Sequence, residues 1–376
     1  MSIKSNLKEV ALVFLKLGFL SFGGPAAHTA MMEEEVVNRR KWMDRQHFLD
    51  LLGATNLIPG PNSTEMTMHC GRERAGMAGL VVAGLSFLLP AVLITGILAW
   101  LYARYGALPN VEPFIYGIKP AVLSIIASAI LSLGRKAVKN SATAVLGLLV
   151  LAAGIAGLNE ITALLAAGVA GTAYFALKNR TKERLLSITP LAAAPVLSAG
   201  AGTIPPLSLF FTFLKVGAIL YGSGYVLFAY LDAELVTRGW LDRAQLMDAI
   251  AVGQFTPGPI LSSVTFIGYL LSGPQGALLA TAGIFLPSFL FVALLGPLIP
   301  KMRRSKLMGW FLDSVNIASV AVMASVLWSM GLETLTGWRP VLIAAAAFTL
   351  TFLLKKNSAV ILVTGGSVAG YLLLHL

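Results

Sequence analysis

The chain repeats itself. Pro59-Gly60-Pro61 returns as Pro257-Gly258-Pro259, 198 residues later, and the correspondence runs on both sides of it. Lys16-Leu17-Gly18 matches Lys215-Val216-Gly217 and Phe22-Gly23-Gly24 matches Tyr221-Gly222-Ser223 at an offset of 199. Trp42, Asp44 and Asp50 match Trp240, Asp242 and Asp248 at 198, and Pro90 and Phe114 match Pro287 and Phe311 at 197. An order kept over this distance means two homologous halves, each broken at the same places. With 57% hydrophobic and 12% charged residues and a mean hydropathy of +0.80, the halves are not soluble domains, which carry about 25% charged residues. The fold class expected is an all-α polytopic membrane protein.

The breaks divide each half into short and long apolar segments. Val10–Phe22 is too short to cross a bilayer that needs about 20 residues, and it stops at Ser21-Phe22-Gly23-Gly24-Pro25. Ala26–Val37 follows, then Phe48–Ile58, the Pro-Gly-Pro break and Asn62–Cys70. Each pair reads as a helical hairpin turning back at a glycine cluster near the midplane. Met77–Leu101, Phe114–Leu133, Ala142–Gly157 and Ile161–Leu177 read as crossings, repeated near 275–299, 308–330, 340–354 and 360–374. Lys4 and Lys8 before an apolar run imitate a signal peptide, but Lys16 interrupts that run and the pattern recurs at Phe211–Gly224.

The net charge of +11 sits in short loops, the placement that orients membrane helices rather than one that binds nucleic acid. Arg135, Lys136, Lys139, Lys178, Arg180, Lys182 and Arg184 follow the second and fourth crossings of the first half. Lys301, Arg303, Arg304, Lys306, Lys355 and Lys356 follow the first and third of the second half. Corresponding loops therefore lie on opposite sides, and the repeats are expected to be inverted. The organisation is a first repeat over 1–187, a linker over 188–206 and an inverted second repeat over 207–376. Ile188–Ile204 is the candidate for the extra crossing that an inversion requires.

Inverted repeats bring four breaks together, and exposed backbone at membrane depth is tolerated only where it is buried or lines a cavity. Helix N-termini there offer unpaired N–H groups to an anion. The candidate substrate-binding set is Lys16, Ser21, Gly23, Gly24, Gly60, Asn62, Ser63, Thr64, Lys215, Gly222, Ser223, Gly258, Ser262 and Ser263. Lys16 and Lys215 either attract the anion or pair with an acid such as Glu9. Glu65 either completes a helix cap or exchanges protons beside the site, and His28 and His69 are further proton-coupling candidates. Glu33 to Glu35 with Arg39 to Lys41 read as a solvated loop, Arg72 and Arg74 as hairpin anchors, and Asp50 and Asp248 as groups that hold the hairpins through Arg or backbone N–H groups. The first Pro-Gly-Pro keeps Asn-Ser-Thr-Glu and the second does not, so the first half is expected to carry more of the polar chemistry. Cys70 is the single cysteine, and no P-loop, catalytic triad or zinc spacing occurs; no cofactor, metal or enzymatic activity is expected.

Ser21-Phe22-Gly23-Gly24-Pro25-Ala26-Ala27-His28, Asn56-Leu57-Ile58-Pro59-Gly60-Pro61-Asn62-Ser63-Thr64-Glu65 and Gly71-Arg72-Glu73-Arg74-Ala75-Gly76 resemble motifs of the chromate transporter family. Tyr221-Gly222-Ser223-Gly224-Tyr225-Val226 and Gln254-Phe255-Thr256-Pro257-Gly258-Pro259 are similar to its second-domain motifs. The resemblance implies the long, two-domain form with opposed topology. It also implies export of chromate across the inner (plasma) membrane, giving chromate resistance, with coupling to protons. The alternatives are a carrier of another dianion such as sulfate, or an anion channel. Lipid, protons and a second copy of the chain are the candidate partners, and nucleic acid is not one.

Overall fold

The structure, a computed structural model, describes residues 3–21, 25–106, 111–179, 205–221, 224–295, 305–354 and 358–375. Among these every regular element is helical. The first repeat holds α1 (Ile3–Leu20), α2 (Pro25–Glu33, continued by a wider turn over Glu34–Arg39), α3 (Arg45–Thr55), α4 (Asn62–Tyr105), α5 (Glu112–Ala137), α6 (Ser141–Ile155) and α7 (Glu160–Lys178). The second holds α8 (Pro206–Ile219), a short turn at Gly224–Val226, α9 (Leu227–Leu231, continued by Asp232–Val236), α10 (Arg243–Phe255), α11 (Ser263–Leu295), α12 (Lys306–Thr334), α13 (Trp338–Phe348) and α14 (Ala359–His375). Five helical stretches, at 62–105, 112–137, 160–178, 260–294 and 306–334, are long and apolar enough to cross a membrane. Their outward faces carry Leu85, Leu89, Leu93 and Ile97 on α4 and Leu278, Leu286, Leu290 and Leu294 on α11, as lipid contact requires. The chain is a multi-pass membrane protein.

The expected hairpins are present. On α1 and α2, Lys16 meets Glu35 and the Ser21 carbonyl lies 3.2 Å from His28 Nε2, so the two helices run antiparallel about the break between them. On α3 and α4, His47 meets Glu73 and Asn62 donates to Asn56, which places the reversal at Pro59–Pro61. Asp44 and Asp242 cap the N-termini of α3 and α10 alike, accepting from His47 N and Gln245 N.

A second reversal falls in the gap between the returning arm Asn62–Cys70 and the crossing that starts at Met77. α4 and α11 each fold back at one point, Ala75-Gly76 and Ser272-Gly273, where both glycines take positive φ. The arms then lie together: a Cβ on Gly71 would sit 2.3 Å from the Gly79 carbonyl oxygen, and one on Gly268 2.4 Å from that of Gly276. Only glycine permits this backbone approach. The outgoing arm of α4, residues 77–105, is long enough at about 43 Å to traverse the bilayer.

The two outgoing arms run in opposite directions. Arg72, at the base of the first hairpin pair, donates to the carbonyls of Val292 and Ala293 near the far end of α11. Tyr102, near the far end of α4, donates to Asp248 at the base of the second pair. The repeats are therefore inverted. We call the face carrying the first-repeat base side 1 and the other side 2. α7 ends on side 1, where Phe175 stacks on Trp310 beside the Lys139–Asp313 pair. α8 leads up from side 2 into the second hairpin. The expected crossing at Ile188–Ile204 lies outside the described residues.

Candidate functional site

The tips of the hairpins meet and exchange backbone hydrogen bonds. Gly60 N–H donates to the carbonyl of Leu220 at the end of α8, at 2.7 Å. Gly258 N–H donates to the carbonyl of Ser21 at the end of α1, at 2.9 Å. Ser21 and Leu220 are equivalent at the offset of 199, as Gly60 and Gly258 are at 198, so the two bonds form one symmetric pair across the repeats. Gly60 has φ +142° and Gly258 φ +89°. A Cβ on Gly60 would fall 2.0 Å from Glu65 Oε1 and 2.5 Å from Ser288 Oγ. Two glycines thus let the tips cross and satisfy backbone that would otherwise be orphaned in the bilayer.

Beneath this crossing lies a cavity of about 360 Å³. His28, Asn56, Asn62 and Ser63 of the first repeat line it, with Pro61 and Pro259 of both breaks. Lys136 on α5 stands at its side-1 end, and Asn316 and Ser319 on α12 form the opposite wall. The first helical residues after Pro61 are Asn62 and Ser63, and the earliest turn bonds to the Pro61 carbonyl come from Thr64 N and Glu65 N. The first two amides of α4 therefore precede the helix's own bonding and form the positive end of its dipole. Ser319 Oγ is buried with no partner among the described residues. One lysine, amide and hydroxyl donors and a helix N-terminus suit a small oxyanion.

The expected site residues separate into groups. Asn62, Ser63 and His28 line the cavity, and Ser21, Gly60 and Gly258 build the crossing above it. Thr64, Ser262 and Ser263 are buried behind the tips; Thr95 donates to Ser262, while the hydroxyls of Thr64 and Ser263 have no partner among the described residues. Gly23, Gly24, Gly222 and Ser223 lie outside the described residues. Glu65 is fully buried beside Ser288, and among the described residues its carboxylate accepts no bond from a helix N-terminal N–H, so it is not a cap. The cap position is Pro61, one residue earlier than a capping box with Glu65 requires, and Asn62 is committed to Asn56. His69 is buried well down the first arm of α4, away from the cavity lining. Lys136, Asn56, Asn316 and Ser319 were not singled out from sequence as binding residues. Lys136 read there as a loop charge, and only the packing of α5 and α12 brings it to the cavity.

Lys16 and Lys215 take the alternative left open for them. Lys16 pairs with Glu35 at 2.6 Å and Lys215 with Glu234 at 2.5 Å. Each glutamate also binds the arginine four residues on, Arg39 or Arg238. Glu9 is occupied by Arg40 and Arg74 instead. The acidic run at Glu33–Glu35 is thus not simply a solvated loop, because Glu35 is buried and binds three cations. Asp248 is held by Lys119 and Tyr102 rather than by arginine or backbone. At the breaks the second repeat gives the cavity Gly224, Pro259, Ile260 and Leu261, against Asn62 and Ser63 from the first. Its polar contribution comes from α12.

Comparison with known proteins agrees with this architecture. The sequence pattern of the chromate transporter family matches residues 8–172 and again 207–371, one match per repeat. The chromate transport protein of Cupriavidus metallidurans is 31% identical over 98% of this chain and 94% of its own length. The probable chromate transport protein of Synechococcus elongatus is 31% identical over 94% and 91%. That of Pseudomonas aeruginosa is 28% identical over 96% and 90%. No solved structure matches. Two family matches, each covering one of two inverted repeats that meet at the motif-bearing tips, place the chain in the chromate transporter family, a family of transporters and not of enzymes.

Proposed function

We propose that the protein exports chromate from the cytoplasm across the inner membrane by alternating access. The observation that carries this reading is the cavity between Lys136 and the crossed tips: it extends from Lys136 and Ala137 at the side-1 end of α5 to Pro61 and Pro259 at the two breaks. The described basic loop residues Arg135, Lys136, Lys139, Lys178 and Lys306 belong to helix ends on side 1, so the positive-inside rule makes side 1 cytoplasmic. Chromate is a tetrahedral dianion, and Ser63, Asn62, Asn316, the first amides of α4 and Lys136 surround a space that can hold it from several directions. A dianion leaving a cell at 100 mV, negative inside, gains about 4.6 kcal/mol, from about 2.3 kcal/mol per charge. That corresponds to more than a thousandfold concentration ratio. Potential alone is therefore sufficient to drive export, and Glu65, buried at the tip, is the candidate for any proton coupling.

A second reading is export of sulfate or a similar dianion, because the lining selects charge and shape and has no group specific for chromium. Everted vesicles containing the protein test both. Saturable chromate accumulation with counterflow, under a potential positive inside the vesicle, is the expected result. Accumulation of sulfate with no chromate uptake favours the second reading, and flux that neither saturates nor shows counterflow indicates a channel.

A further inference from the structure

The repeats share a framework of ion pairs, and one of their differences falls at the ends of α5 and α12. Arg45 binds Glu33 on side 1 at 3.0 Å, and the equivalent Arg243 binds Asp232 on side 2 at 2.9 Å. Arg243 has a further partner: it pairs with Glu333 at the end of α12. At the offset of 197, Glu333 corresponds to Lys136 at the end of α5. The side-2 mouth is thus closed by opposite charges, and the matching positions on side 1 are two cations.

The neighbouring contacts follow the same division. On side 2 the Thr334 hydroxyl donates to Met247 Sδ at 3.2 Å, and Lys119 reaches Asp248 at 3.6 Å. Met247 is 2% exposed, but its counterpart Leu49 is 44% exposed. Lys119 corresponds to Asn316, which faces the cavity. α10 therefore packs on the ends of α5 and α12, while its counterpart α3 stands across the cavity from α12. No carboxylate pairs with Lys136 among the described residues.

We infer that the side-1 mouth closes only with an anion held between Arg45 and Lys136. Closing side 1 as side 2 is closed brings Arg45 to Lys136 as Arg243 is brought to Glu333. Without an anion this brings Lys136 against an arginine whose only carboxylate partner among the described residues is Glu33, and the surplus positive charge opposes closure. An anion held between them offsets that surplus. Its release on side 2 leaves the two cations facing each other, and their repulsion returns the empty carrier to the side-1-open form. Loaded closure and empty reset then follow from one charge difference between the repeats. The inference rests on the export reading for the identity of the anion but not for the latch itself.

The test is a distance measurement between spin labels joined by thioether bonds at Leu49→Cys and Val138→Cys, both exposed positions flanking the side-1 mouth. In purified full-length protein without oxyanion, the labels are expected to give a long distance that shortens on adding chromate. With Lys136→Glu added, the short distance is expected with no anion present, because Arg45 now meets a carboxylate. A Lys136→Glu protein that elutes normally on size exclusion yet keeps the long distance overturns the latch. So does a short distance in the anion-free parent protein. A Lys136→Glu protein that closes while chromate leaves the parent unchanged supports the latch and refutes chromate as the substrate.

Discussion

Gly60→Ala is the sharpest perturbation of the crossed tips. The added methyl would sit 2.0 Å from Glu65 Oε1 and 2.5 Å from Ser288 Oγ, on a backbone at φ +142°. Holding a non-glycine residue in such a region costs about 1–3 kcal/mol. Relief by moving the tip breaks the Gly60–Leu220 bond and leaves a buried donor unpaired, a further ~1–3 kcal/mol. Gly239→Ala is the control, since Gly239 also has positive φ, at +68°, but a Cβ there meets nothing within 4 Å. The control isolates backbone strain, and the difference between the two measures tip packing. Gly60→Ala is expected to lose about 2–6 kcal/mol in total, which at roughly 2 °C per kcal/mol lowers the thermal midpoint by about 4–12 °C. Gly239→Ala, in the left-handed region that costs about 1–2 kcal/mol, is expected to shift it by about 2–4 °C on the same scale. Detergent-solubilised protein followed by fluorescence-detected size exclusion gives both midpoints. Equal midpoints for the two variants would refute the claim that the tips are crossed and tightly packed at Gly60.

Other substitutions separate scaffold from site. Lys215→Ala leaves the buried Glu234 with Arg238 alone and is expected to cost about 2–4 kcal/mol, read as a lowered thermal midpoint. Lys16→Ala is expected to cost less, because Glu35 keeps Arg39 and Arg40, and to leave the Kd for chromate within about twofold, the residual scatter expected where no contact is lost. Equilibrium binding that weakens tenfold or more would return Lys16 to the substrate site. Ser63→Ala removes a cavity hydroxyl and is expected to weaken chromate binding about tenfold, the worth of one hydrogen bond to a charged group. Tyr102→Phe deletes one bond to the buried Asp248 and is expected to loosen the side-2 base by about 1 kcal/mol, measurable as faster amide exchange over α10.

Much of this arrangement was legible in the sequence because it is carried by local chemistry. Glycine and proline mark the hairpin tips, and the lysines and arginines between segments give the inversion. The helices at 112–137, 141–155 and 160–178 fall close to the apolar runs that announce them. The fold-backs at Ala75-Gly76 and Ser272-Gly273 fall in the gaps between the short arms and the long crossings, though hydropathy alone does not say at which residue the helix turns. Their signal is the pairing of Gly71 with Gly79 and of Gly268 with Gly276, eight residues apart in each repeat. The partner of Lys16 was also within reach, because Lys16 and Glu35 recur together as Lys215 and Glu234 at the one offset of 199. Lys136, Asn316 and Ser319 were not legible as site residues. They reach the cavity only through the packing of α5 and α12 around the hairpins, which no local pattern encodes.

The central claim is that the oxyanion sits between the crossed tips and Lys136. Anomalous scattering from chromium in crystals of the full-length protein soaked in chromate locates the ion directly. The account places one peak within hydrogen-bonding distance of Ser63 and the first amides of α4, in the cavity bounded by Lys136 and Asn316. A peak beside Lys16 or Lys215 instead, or an empty cavity at saturating chromate, would contradict it.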